Sequence, residues 1–75
     1  MGTLRIAIKD GLTSKETHKE LVCVIGYIAW QHRIAPSGAD LEGAVYEDVG
    51  KEIYKDVKHL LRRKGLKYLE ASYEE

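Results

Sequence analysis

Apolar and polar residues alternate over residues 3–9, TLRIAIK, with Leu4, Ile6 and Ile8 on one side and Arg5, Ala7 and Lys9 on the other. A period of two is the pattern of a half-buried strand, and Asp10-Gly11 behind it marks a turn. The next segment changes period. Thr13-Ser14-Lys15-Glu16 fits a capping box, the threonine oxygen accepting an early helical N–H while the glutamate reaches back, and a helix is predicted over residues 14–33. Leu21, Val24, Ile25 and Ile28 form one apolar face of that helix, and Cys23, Tyr27 and Trp30 lie roughly opposite. A helix that is apolar on two sides is sandwiched or self-associating. This pattern points to a homodimer with Cys23, Tyr27 and Trp30 at or near the contact. The β-branched content of residues 21–30 leaves a buried strand as the alternative reading.

Ala35-Pro36-Ser37-Gly38 is a break, because the residue before a proline is pushed away from helical geometry. Beyond it Ser37 fits an N-cap, with Asp40 in the first turn. Tyr46, Val49, Ile53, Val57 and Leu60 follow as a heptad-like stripe, and Gly65 stands where a helix C-cap is expected. Residues 38–64 therefore predict one long helix, or two broken near Gly43 or Gly50. Residues 66–73, LKYLEASY, predict a last short strand that pairs with residues 3–9. The expected fold is α+β: a single domain over residues 1–75 with an N-terminal strand, two or three helices and a short C-terminal strand.

Length and composition narrow the class. At 75 residues the chain is near the lower size limit for folding alone. Cys23 is the only cysteine, so no internal disulfide staples it, which fits a reducing, cytoplasmic setting. The N-terminus has no secretory pattern, and the longest apolar run, LVCVIGYIAW, is too short to span a bilayer. No membrane partner is expected. Balanced charge, plentiful aliphatics and one proline argue for order.

Charge is balanced overall but not locally. Lys51, Lys55, Lys58 and Arg62 are spaced 4, 3 and 4 residues apart, which puts four cations in one stripe of a helix. Residues 55–67 hold six Lys/Arg against one acid, in a chain of zero formal charge. Concentrated positive charge on one face is the footprint of a surface that meets phosphate or an acidic partner. The order helix, basic helix, glycine, strand resembles the reading end of winged-helix DNA-binding domains, and residues 66–75 are shorter than a full two-stranded wing. That resemblance implies a recognition helix over residues 50–64. Lys51, Lys55, Lys58 and Arg62 would contact duplex DNA, with Arg63 and Lys67 clamping flanking phosphates. A strand followed by two helices also resembles ribbon-helix-helix dimers, which ranks second. A compact protein-interaction module, docking through tyrosines and charged helix faces, is the alternative function.

Other constellations point less far. Glu52, Asp56 and His59 share a helical face, but cations flank them and no HExxH or CxxC cluster accompanies them. His18 and His32 are too poorly placed along the helix to activate Cys23, and both read as boundary residues. Tyr27, Tyr46, Tyr54, Tyr68, Tyr73 and Trp30 suit core or interface anchoring, with base stacking as the other use. No phosphate loop, nucleophile elbow or dinucleotide fingerprint is present. The expectation is a non-enzymatic protein without cofactor or metal.

Overall fold

The computed structural model describes all of residues 1–75. Its elements run β1 (Gly2–Ile8), α1 (Lys15–His32), β2 (Gly38–Ala39), β3 (Gly43–Val49), α2 (Lys51–Lys64) and β4 (Leu69–Glu74). The four strands form one antiparallel sheet in the order β2-β3-β1-β4. Two β-α-β halves are interleaved, since β3 lies between β1 and β2, and β1 lies between β3 and β4. This is split β-α-β, ferredoxin-like connectivity. No helix is long and apolar enough to cross a membrane.

β1 forms because its alternation lets one face go dry. Leu4, Ile6 and Ile8 are buried while Arg5 and Ala7 are exposed. They join Ala44, Tyr46 and Val49 of β3, Leu69 of β4, and residues of both helices in a single core. α1 contributes Leu21, Val24 and Ile28; α2 contributes Ile53, Val57, Leu60 and Leu61. Both helices therefore cover one face of the sheet, and the other face stays open. The C-terminal strand pairs antiparallel with β1 as expected, from Thr3↔Glu74 to Ile8↔Leu69. The helix end at Gly65 also holds: its φ of 68° is left-handed, and its N–H donates to the Leu61 and Arg62 carbonyls.

The α+β layout, with a strand at each end and two helices, is the one observed. Residues 38–49 differ from expectation, being strands β2 and β3 rather than helix. Tyr46 and Val49 are spaced like a helical stripe with Ile53, but Ala44 and Tyr46 point inward as alternating strand residues, and an irregularity at Asp48, whose φ is 58°, returns Val49 to the same face. The strand wins because the edge of β1 offers N–H and C=O groups that satisfy its backbone, and the pairing buries Tyr46 beside Leu4. Ser37 is consequently not an N-cap; its Oγ accepts from the Glu47 N–H at 3.1 Å beside β3. Asp40 makes the β2–β3 turn, its Oδ1 accepting from the N–H groups of Glu42 and Gly43 at 2.8 and 2.9 Å.

Two consequences correct the finer layouts. α2 follows a strand, so no helix-turn-helix exists and the winged-helix order is not formed. β1 has β3 on one edge and β4 on the other, so it has no free edge for the intermolecular ribbon of a ribbon-helix-helix dimer. The α1 capping box is real but lies one residue later than expected. Ser14 is the N-cap, its Oγ accepting from the Thr17 N–H at 3.1 Å while Thr17 Oγ1 accepts from the Ser14 N–H at 2.7 Å. Thr17 prevails over Glu16 because its hydroxyl also donates to the Leu12 carbonyl, at 2.9 Å.

Two core positions carry testable consequences. A Cβ on Gly43 would stand 2.6 Å from the Ile6 carbonyl oxygen, so β3 approaches β1 closely only because residue 43 has no side chain. Gly43→Ala should cost about 1–3 kcal/mol through backbone displacement, read as a lower midpoint in urea unfolding. Tyr46 is buried, and its hydroxyl finds no protein partner. Burial pushes its pKa up to about 12. Its stabilising contribution is complete below the unfolded value near 10 and is lost as pH rises toward about 12. Tyr46→Phe should therefore be neutral, or stabilising by about 1 kcal/mol, at pH 7. Above about pH 10 its advantage should grow by up to about 3 kcal/mol, measured by urea unfolding across alkaline pH.

Candidate nucleic-acid interface

α2 is a strongly two-sided helix. Ile53, Val57, Leu60 and Leu61 face the sheet, and Lys51, Lys55, Lys58 and Arg62 are exposed on the opposite side. The cationic stripe read from the spacing is therefore one continuous surface. Lys55, Lys58, His59 and Arg62 alone line a shallow hollow on it. Lys58 Nζ also lies 5.6 Å from the Tyr54 ring centre. Tyr54 stacks on Tyr73 at 5.8 Å, and the Tyr73 hydroxyl donates to the Val49 carbonyl at 2.7 Å. This aromatic pair fastens α2 to β4 and gives the stripe a rigid base.

Neither acid of α2 neutralises the stripe. The Glu52 carboxylate folds back into the space that a Cβ on Gly50 would fill, at the helix N-terminus, where negative charge suits the helix dipole. Asp56 turns toward α1. Its Oδ1 and Oδ2 accept from the Tyr27 hydroxyl at 3.1 and 3.2 Å, and its Oδ2 meets His32 Nε2 at 2.7 Å. This His32–Asp56 contact is the only approach of a basic side chain to a carboxylate within 4.0 Å in the molecule. No lysine or arginine is matched with a carboxylate. Glu52, Asp56 and His59, aligned in sequence, thus go to three different places.

Other expected contacts lie elsewhere. Arg63 sits beside Tyr27 rather than in the stripe: burial and Asp56 raise the Tyr27 hydroxyl pKa, and Arg63 opposes that rise. Lys67 is exposed in the turn after α2. On α1, Cys23 and Trp30 are exposed, while Tyr27 is half-buried and committed to Asp56. Tyr27 thus ties α1 to α2 within one chain. The Tyr27–Asp56–His32 link was not readable from the sequence, because its members are 24 and 29 residues apart and no local spacing signals their meeting.

Charge is sorted by layer. α2 carries six Lys/Arg against two acids, whereas the strands carry four carboxylates against Arg5 alone. The zero formal charge hides a basic helix face and an acidic sheet. No protein-family model, curated protein or solved structure matches this chain.

Asp56→Ala removes the shared acceptor of Tyr27 and His32 and should lower stability by about 1–2 kcal/mol, allowing for partial exposure. His59→Ala, three residues on and exposed, should leave the urea midpoint unchanged.

Proposed function

We propose that this protein is a small non-enzymatic DNA-binding module that lays the outward face of α2 against the phosphate backbone. One observation carries the reading: Lys51, Lys55, Lys58 and Arg62 share an exposed face on which no carboxylate pairs with them. Unpaired cations held on a rigid helix release the counterions of DNA on contact, and that release drives sequence-independent binding. The balanced total charge is no obstacle, since the acids sit mainly on the sheet and turns. With α1 beside it in the same layer, α2 meets the backbone as part of a flat surface rather than as an isolated helix entering a groove.

The alternative is a protein-interaction module, or a homodimer through Cys23 and Trp30. It draws on the exposure of Trp30 and Val22, at 76% and 51%. That reading requires no DNA affinity even at low salt.

Duplex binding measured over a salt series should give a log–log slope of about −3 to −4, as expected for about four phosphate contacts. Lys55→Glu, Lys58→Glu and Arg62→Glu together should abolish binding while leaving the circular dichroism spectrum unchanged. Normal duplex binding by the triple variant would refute the proposal.

A further inference from the structure

α1 presents solvent with an unusual face. Its buried residues are Thr17, Leu21, Val24 and Ile28, and the side opposite carries Val22, Cys23, Gly26 and Trp30 with Ala29 beside them. No charged residue occurs from Leu21 to Gln31. Trp30 is the one large group on this face and the most exposed aromatic of the chain, at 76%. The tyrosines are otherwise engaged: Tyr46 is buried, Tyr27 binds Asp56, Tyr54 stacks on Tyr73, and Tyr68 packs against the core. Gly26, one turn before Trp30, leaves open space where a side chain would stand.

Trp30 and the cations are exposed on the two helices of one layer above the sheet. It lies in sequence between Tyr27 and His32, both bound to Asp56, and Lys55 immediately precedes Asp56. The same cross-helix link therefore joins the helix that carries the exposed indole to the helix that carries the basic stripe. We infer that this layer binds single-stranded nucleic acid, with an unpaired base stacked on Trp30 and phosphates further along the same strand on Lys55, Lys58 and Arg62. The inference rests on the phosphate-binding reading of α2 and adds the base contact to it. A positively charged track with an aromatic platform is how strands are held without sequence readout. A paired base inside a duplex offers no free face to the indole. A second copy fits this face less well. Docked on this layer, it would bring the same uncompensated cations with it.

Trp30 is the only tryptophan, so its fluorescence reports on its own contact. Titration with an oligothymidine strand of about twenty nucleotides should quench it saturably, and the strand should bind more tightly than the matching duplex. Trp30→Ala should weaken strand binding about ten-fold or more and erase the preference over duplex, with the salt slope unchanged; Trp30→Phe should restore part of the affinity. Unaltered strand binding by Trp30→Ala would overturn the stacking contact while leaving the phosphate reading intact. If the Lys55, Lys58 and Arg62 charge reversals left strand and duplex binding unchanged, the phosphate reading itself would fall. A blue shift with rising protein concentration alone, or with phosphatidylserine vesicles but not the strand, would assign the face to a second copy or a lipid surface and refute the inference.

Discussion

The structure depends on β1 being dry on one face and paired on both edges. Leu4, Ile6 and Ile8 supply the apolar face on which both helices settle. The two backbone edges of the same strand receive β3 and β4. A chain of this length has little core to spend, and it places its most fully buried strand at the centre, where each side chain meets neighbours from several elements. Other features follow from that placement. β3 must come close enough to require a glycine at residue 43. β4 must return along the opposite edge, and α2 must span between them. The same pairing leaves β1 no free edge for another chain.

Placing both helices on one face of the sheet creates the second organising feature, the separation of charge. Amphipathic helices on a sheet have only one direction in which to send polar residues. In α2 that direction receives lysines and arginines, while the strands' outward positions and ends receive Glu47, Asp48, Glu70 and Glu74. Such a molecule has no net charge but a dipole across its layers, and salt confines its field to short range, so partners should be selected by the layer they touch. The two acids of α2 are turned to structural uses, one over the helix N-terminus and one toward α1. That diversion leaves the stripe uncompensated.

The link between the helices connects stability with the candidate surface. Asp56 holds Tyr27 and His32 at once, so the register of α1 against α2 is set by directed hydrogen bonds as well as by packing. Trp30 and Lys55 lie close in sequence to this link, so the backbone positions from which they extend are set by the same pairing of helices. A half-buried polar contact of this kind contributes modestly to stability. Its larger effect is geometric, because it holds an apolar helix face and a basic one in a common plane.

Local chemistry was legible in the chain wherever a pattern closes on itself. The alternation of residues 3–9, the apolar face of α1, the basic stripe and the Gly65 cap each depend on neighbours within a turn or two. Each appears in the structure as expected. Residues 43–49 were not legible: Ala44 and Tyr46 fit the strand period, Tyr46 and Val49 the helical one, and only hydrogen bonding to β1 selects the strand. The pairing of Tyr27 and His32 with Asp56 was hidden for the same reason, since it joins helices whose meeting is set by the sheet beneath them. The sequence by itself determined which residues could be buried and which cations would share a face. Tertiary structure decided which segments pair and which carboxylates are drawn away from the cations, because those choices depend on backbone edges and distances that exist only after β1 is enclosed.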